Sequence, residues 1–462
     1  MQGTDFGLDG YSVHEGVVQR LVNIFITAFD QLGVQVEMVE LEDLVVLIYK
    51  AMSFQARNYH NLDHVFSLVD LEEPIITLAA LFHDLVYSQV DLGFLPEIFQ
   101  ILSPEIEERD GKIRIVDKQP VNDRLFNITL EVFNFKPGQY VDTSAGLNEF
   151  LSALVMVKKL KPILPEQALF NILLCIEATI PFRKSELNGE DYFYTLETRA
   201  NQIVERSNLE LSRIAVEESV KLAVKLANRD VESFAETDVA SYLETTWKLL
   251  PEFNVALREI KVYSIREYRQ ALQSMETSMS RLNAERVFHR FRGEPSDEIY
   301  RRQVNQARKN IATGQQYLRI KLLTQAILEA LADQTGGDAP LSLFMGDLPH
   351  PGSHPRRLED YLPEIAAPEW VDLNSDLYGM LTHHRISEVS FDLSTAPLSL
   401  FVYKRLSPIR VNDLLDLAKE MFMGGISSSG FLSRVDPGVL SPIASASAEM
   451  VYTRREELLK FV

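Results

Sequence analysis

The pair His83-Asp84 closes an apolar run, Ile75-Ile76-Thr77-Leu78-Ala79-Ala80-Leu81-Phe82. Such a run has to be buried, and it carries an imidazole and a carboxylate inward with it. Those groups are costly to bury unless something compensates them. Nineteen residues before His83 stands His64, the last residue of Arg57-Asn58-Tyr59-His60-Asn61-Leu62-Asp63-His64. Three of the nine histidines of the chain fall in this short span. His60 and His64 are spaced i, i+4, so on a helix they share one face. A divalent metal is the natural compensation, because neutral imidazole and carboxylate together suit several borderline and hard cations.

A chain of 462 residues suggests two or three domains at ~100–200 residues each. Its hydrophobic content of 46% is ordinary for a globular chain with a substantial core. The single cysteine, Cys175, cannot close an intramolecular disulfide, which fits a reducing cytoplasmic setting. The first residues lack a basic and then apolar leader, so no secretory signal is expected. No run approaches the ~20 apolar residues needed to span a bilayer. A formal net charge of -20 disfavours bulk nucleic acid and anionic membranes as partners. A small phosphorylated substrate stays open, since a metal can dominate the local field. Homo-oligomerisation is compatible with the sequence.

Residues 1–91 read as helices. Val17 to Leu32 and Val39 to Met52 repeat apolar residues at helical spacing, and Glu40, Glu42 and Asp43 read as a solvated face. The histidine motifs are expected on two further helices, at about 59–70 and 74–88. Between 92 and 146, Lys112-Ile113-Arg114-Ile115-Val116 and Asn127-Ile128-Thr129-Leu130-Glu131-Val132-Phe133 read as short strands, with turn chemistry at Gln119 to Asp123. Helical pattern resumes from Leu147 to Leu331. It includes a helix from Leu211 through Asp230 and a long pair at about 259–291 and 297–333. The cluster Arg301, Arg302, Arg308 and Lys309 reads as a solvated helix face. Residues 336–357 read as a Gly- and Pro-rich linker. Beyond it, 388–393 and 398–403 resemble strands and 411–420 a helix, giving 358–462 as a small mixed α+β domain of no recognised family.

A third element, Asn148-Glu149-Phe150-Leu151-Ser152-Ala153, follows the two histidine motifs. The three together resemble the HD superfamily of metal-dependent phosphohydrolases. They are similar to bacterial members carrying Arg-x-Tyr-His-Asn-x-x-His, Phe-His-Asp-x-x-Tyr and Asn-Glu-x-x-Ser-Ala. The Tyr-His-Asn-x-x-His element is also similar to the site of cyclic-nucleotide phosphodiesterases. The resemblance covers roughly residues 10 to 335. It implies a mainly α chain: an HD-type helical bundle over 1–335, with a β-hairpin-containing insertion at about 92–146.

The resemblance assigns His64, His83 and Asp84 as metal ligands. The fourth must be an acid from a later helix. Asp230 is the choice, because it lies in the apolar stripe of Val216, Val220, Ala223, Ala227 and Phe234. An arginine partner, or a capping role on a neighbouring helix, is its competing explanation. Asp238 looks more like an N-cap, and Asp191 lies in a loop-like stretch. Asp84 has two oxygens and can bridge a second ion, so one or two ions of Mn, Mg, Fe, Zn, Co or Ni are compatible. By the same resemblance His60 is the general acid, a role that suits imidazole; a structural histidine or an extra ligand are its other readings. Tyr59 and Asn61 are expected to orient the pocket, and Glu149 to support a ligand or simply to start a helix. Arg57, Thr179 and Arg183 are candidates to hold substrate phosphate, with surface ion pairs as the alternative for the arginines. Arg229 reads as neutralising an acidic helix, Cys175 as a buried apolar residue, and Gly424 to Gly430 as a turn rather than a phosphate loop.

The function implied is hydrolysis of a phosphoester by metal-activated water, with a nucleotide or cyclic nucleotide as substrate class. A nucleotide-sensing or protein-binding HD module with little hydrolysis is the alternative. A di-iron HD oxygenase is a third reading, although it generally needs further histidines.

Overall fold

The computed structural model describes residues 16–91, 93–117, 123–181, 192–258, 263–348, 353, 355–383, 391–392 and 395–462. It is mainly helical with one small antiparallel sheet. The chain divides into two compact units. The first comprises residues 1–232 and 286–302, the second Ser233–Glu285 and Gln303–Val462.

In the first unit, α1 (Val17–Gln31) buries Leu21, Ile24, Phe25, Ala28 and Phe29, one stripe at three-to-four spacing. It packs on α2 (Met38–Met52) and on α4 (Pro74–Phe82), while α3 (Leu62–Leu68) packs on α4 as well. Glu40, Glu42 and Asp43 of α2 are exposed, as the pattern requires. Every residue of α4 from Ile75 to Phe82 is buried, and Pro74 occupies its first turn, where a missing N–H costs nothing. Each fully buried Ile, Leu or Phe contributes about 1.5–3 kcal/mol. Four of them in α4 outweigh the ~1–3 kcal/mol of an unpaired buried polar atom, so the run can carry His83 inward. The Glu166–Ala178 helix packs between α4 and the Arg213–Asp230 helix.

The sheet has the order β1 (Ile106–Arg109), β2 (Lys112–Ile115), β3 (Tyr140–Val141), all antiparallel. β1 and β2 form a hairpin, with Ile106 opposite Ile115 and Arg109 opposite Lys112; only its second strand was expected, and its partner is 106–109 rather than 127–133. Its two-residue turn is Asp110-Gly111, both at positive φ (51° and 71°), the conformation such a tight turn demands. The strand expected at 127–133 is instead the helix Arg124–Phe133. Its β-branched residues favour a strand by propensity alone. The decisive residues are the caps: Asp123 accepts from the Leu125 N–H, and Asn134 ends the helix in the left-handed region. The segment 118–122, which holds most of the expected turn, lies outside the described residues.

The second unit is built from helices, among them Val239–Phe253, Ile265–Ser280 and Pro408–Phe422. The strand expected at 398–403 is part of the helix Pro397–Arg405, again with proline in the first turn. The other expected strand, 388–393, is largely outside the described residues. The boundary expected at 336 falls inside this unit. The helix Asp297–Thr335 leads up to it, and Gly336-Gly337 is a turn that Arg454 pins by donating to the Ala332 and Gly337 carbonyls (3.1 and 2.7 Å). Arg301, Arg302, Arg308 and Lys309 are exposed, with Lys309 paired to Asp376 at 2.8 Å. No described helix is long and apolar enough to cross a membrane.

Candidate metal centre

Three chain segments meet in the first unit. α3 supplies His64, the end of α4 supplies His83 and then Asp84, and the last residue of the Arg213–Asp230 helix supplies Asp230. Asn61 starts α3. Its side chain accepts from the Asp63 and His64 N–H groups (2.9 and 3.3 Å), so helix begins at Leu62. His60 therefore lies ahead of the helix rather than one turn back on it, which corrects the shared-face expectation. Its ring still stands 5.7 Å from that of His64 and 4.5 Å from that of Tyr87. Tyr59 lies against both histidines, at 4.8 Å from His60 and 4.7 Å from His64.

His83 Nδ1 is 2.9 Å from the Ala80 carbonyl. A carbonyl only accepts, so Nδ1 carries the proton and Nε2 faces the cluster. His83 Nε2 lies 2.9 Å from Asp84 Oδ2 and 3.6 Å from Asp230 Oδ1. His64 Nε2 lies 3.1 Å from Asp230 Oδ1 and 3.6 Å from Asp84 Oδ2. Both Nε2 atoms are buried, yet neither makes an aligned hydrogen bond. They are close to carboxylate oxygens without donating properly to them. Donors held about 2.1 Å from one cation stand about 3.0–3.4 Å apart at octahedral or tetrahedral angles. The observed separations, 2.9–3.6 Å, bracket that spacing. Donor atoms of His64, His83 and Asp84 all lie within 4.8 Å of one another. These residues, with Asp230, could hold a divalent ion.

The charges are arranged to the same end. Burial acts to lower the His83 pKa, but the carboxylates of Asp84 and Asp230 override it and hold it well above the ordinary value. Burial acts to raise Asp84, but the imidazoles of His83, His60 and His64 hold it far below the usual carboxylate range. Asp230 is held low in the same way by His64 and His83. The histidine side chains are 5% and 1% exposed, those of Asp84 and Asp230 12% and 17%. Solvent therefore reaches the cluster from the carboxylate side.

Arg57 is not placed as a phosphate contact. Its buried guanidinium pairs with both oxygens of Asp91 (2.8 and 2.6 Å) and donates to the Asp84 and Leu85 carbonyls (2.7 and 3.3 Å). It clamps the backbone that presents Asp84. The third motif braces the same turn from the other side. Ser152 accepts from the Val86 N–H (2.9 Å), and Asn148 accepts from Ser88 and donates to Gln89. Asn148 and Ser152 belong to the third motif, which gave them no role, and their i, i+4 spacing was the available signal for one; Asp91 carried no signal in the sequence. Glu149, the candidate in that motif, is partly buried at the start of the Leu147–Leu160 helix.

Thr179 is buried and donates its hydroxyl to the Ile176 carbonyl (2.8 Å), ending the Glu166–Ala178 helix. That bond turns its proton away from a substrate role. Arg183 and Asp191 lie outside the described residues. Arg229 docks on the Leu68 carbonyl and Asp70 (both 3.2 Å), fixing the end of the helix that carries Asp230. Asp238 is an N-cap, accepting from Ala240 N (3.1 Å). Cys175 is fully buried, and burial pushes its thiol up. A buried network that sequence did not reveal lies on the same Glu166–Ala178 helix: Glu177, fully enclosed, accepts from Tyr192 and from Arg199, the latter at 2.8 Å.

The clamp gives a stability prediction. Arg57→Met leaves the buried Asp91 carboxylate uncompensated and is expected to cost about 3–5 kcal/mol. Adding Asp91→Asn should recover a substantial part of that loss in urea denaturation. A cost under about 1 kcal/mol, within the range of a surface pair, would show that the pair does not hold the turn.

Comparison with protein-family models, with curated proteins and with solved structures finds no match.

Proposed function

We propose that the first unit is a metal-dependent phosphohydrolase acting on a phosphoester of a nucleotide or cyclic nucleotide. The observation that carries this reading is the pair of buried Nε2 atoms on His64 and His83. They lack aligned hydrogen bonds and lie at coordination-edge distances from Asp84 and Asp230. His64, His83, Asp84 and Asp230 would hold the ion. When bound, a divalent cation supplies Lewis acidity toward phosphoryl oxygens and lowers the pKa of water.

The remaining work falls to the chain itself. Asp84 and Asp230 stay ionised in the ordinary pH range, because the neighbouring imidazoles depress their pKa values. The Arg57–Asp91 clamp and the Asn148–Ser152 brace fix the turn that carries Asp84. His60, beside His64 and packed on Tyr87, is the group assigned to hold a proton for the leaving oxygen. The substrate class rests on likeness to the Tyr-His-Asn-x-x-His phosphodiesterases, and a fold alone does not fix a substrate.

The test is elemental analysis of the purified protein together with a hydrolysis panel of a bis-nitrophenyl phosphate, cyclic nucleotides and linear nucleotides, with Mn²⁺ or Mg²⁺ added. Metal with hydrolysis supports the enzyme. Metal with nucleotide binding but no turnover would move the reading to a sensing module. Neither metal nor turnover would remove it.

A further inference from the structure

His60 lies in the turn ahead of α3, and two tyrosines pack on its ring from different parts of the chain. Tyr59 is its neighbour in sequence, with ring centroids 4.8 Å apart and planes at 84°. Tyr87 comes from beyond α4, with its centroid 4.5 Å from that of His60 and the planes at 67°. Both are edge-to-face arrangements, at the short end of the ~4.5–7 Å range that aromatic pairs prefer. The two tyrosines are not equivalent. Tyr59 also lies 4.7 Å from the ring of His64, so it touches a candidate ligand as well. Tyr87 reaches His60 from a separate segment.

That segment is itself fixed. Tyr87 is 8% exposed. Its carbonyl accepts from the Val90 and Asp91 N–H groups, both at 2.9 Å, and its own N–H donates to Asp91 Oδ2 at 3.3 Å. The same Oδ2 accepts from Arg57 Nη2 at 2.6 Å, and the Arg57 guanidinium stands 5.9 Å from the centroid of the Tyr87 ring. Asp91 therefore joins the two segments: the arginine three residues before His60 and the backbone of Tyr87 share one carboxylate oxygen. A proton donor serves only when its nitrogen is aimed at the leaving oxygen, and a misplacement of ~1 Å can cost ~10²-fold in rate. A side chain ahead of a helix has to be locked by such packing to keep one orientation.

We propose that Tyr87 is the positioning residue for His60. Its ring, anchored through Asp91 and Arg57, holds the His60 imidazole in one orientation beside the ring of His64, 5.7 Å away at 82°. The contact is made by the ring, so the phenol oxygen is not what holds His60. The consequence for rate rests on the phosphohydrolase reading; the packing itself does not.

The test uses the full-length chain and two readouts. The first needs neither metal nor turnover: ¹³C NMR of histidine-labelled, chelator-treated protein, with the His60 signals assigned by their loss in His60→Ala. Tyr87→Leu is expected to move the His60 ring signals toward those of free histidine, because a ring current is lost, and to leave His64 and His83 in place. Tyr87→Phe, which keeps the ring, is expected to hold the His60 signals where they are. The second readout is kcat with Mn²⁺ on an ester of a sugar hydroxyl and on a nitrophenyl ester. Tyr87→Leu is expected to slow the sugar ester by ~10–100-fold and the nitrophenyl ester much less, at unchanged metal content; Tyr87→Phe recovers the rate. Added to His60→Ala, Tyr87→Leu should cause no further loss, which a merely structural role would not produce. Unmoved His60 signals in Tyr87→Leu, equal movement of His64 and His83, or a full additional loss in the double variant would overturn the proposal. So would a Tyr87→Phe variant with displaced His60 signals or a slowed sugar ester, which decides the matter even if Tyr87→Leu does not fold. Wild-type protein without turnover would remove the phosphohydrolase reading, and the NMR comparison would still decide whether Tyr87 positions His60.

Discussion

Asp84→Ala is expected to remove most of the divalent metal from the protein and to weaken re-binding by more than the ~10–100-fold typical of residues that only support a ligand. Purified wild-type protein should carry close to one or more equivalents of a transition metal, or bind Mn²⁺ or Mg²⁺ on addition. Asp230→Asn should also weaken binding, because Asp230 Oδ1 lies within 3.1 Å of one imidazole nitrogen and 3.6 Å of the other. Asp238→Asn should not. Asp238 only caps the Val239–Phe253 helix, so its replacement leaves the metal alone and costs at most ~1–2 kcal/mol of stability. Unchanged metal content and stability in a His83→Ala, Asp84→Ala double variant would show that no ion is held here.

Binding should also depend on pH in a definite direction. The ion-free cluster keeps His83 protonated well above the ordinary range, and a cation must displace that proton. Apparent affinity therefore climbs with pH until the raised His83 value is passed. The stability of the ion-free protein runs the other way on this histidine. Its raised pKa contributes stability that is fully present below ~6.5 and is lost as pH rises through the folded value. Asp84 and Asp230, both depressed, contribute stability present above ~4 and lost as pH falls toward their folded values. Metal titrations at several pH values with proton release followed in parallel would read the first effect, and a pH series of thermal melts the second.

How much of this was legible in the sequence varied with the physics involved. The gathering of His64, His83 and Asp84 was expected from the resemblance of their motifs, and Asp230 from its place in an apolar stripe, where a polar group has few ways to be buried. Val216, Val220, Ala223 and Ala227 are indeed buried on the helix that ends at Asp230. Phe234 is not part of that stripe, since it lies beyond the helix in a short 3-10 turn of the second unit. Helix ends were less legible, because a single side-chain hydrogen bond decides them. Asn61 captures the Asp63 and His64 N–H groups and so leaves His60 outside α3. The two segments read as strands, 127–133 and 398–403, became helices because caps and surrounding packing outvoted β-branched content. Arg57 shows a different kind of gap. A motif arginine near a candidate phosphate site and a buried backbone clamp read alike until the fold brings Asp91 back to it.

His60→Ala is expected to leave metal content nearly intact and to slow hydrolysis by ~10²–10⁴-fold, the range typical of a lost general acid. The geometry permits this division of labour. His60 precedes α3, its ring is 5.7 Å from that of His64, and Tyr59 and Tyr87 pack against it. It is therefore near the cluster without belonging to the group of residues whose donor atoms converge. A group that donates a proton to the leaving oxygen matters in proportion to how badly that oxygen needs one. Loss should be large for an ester of a sugar hydroxyl and much smaller for a nitrophenyl ester, whose leaving oxygen is already stable as an anion. Rates for both substrates, measured on wild-type and His60→Ala protein at saturating metal, separate the roles. Equal loss on both would make His60 a positioning residue. Loss of metal along with rate would make it a ligand, and the likeness to the phosphodiesterase site would then stop at the sequence motif.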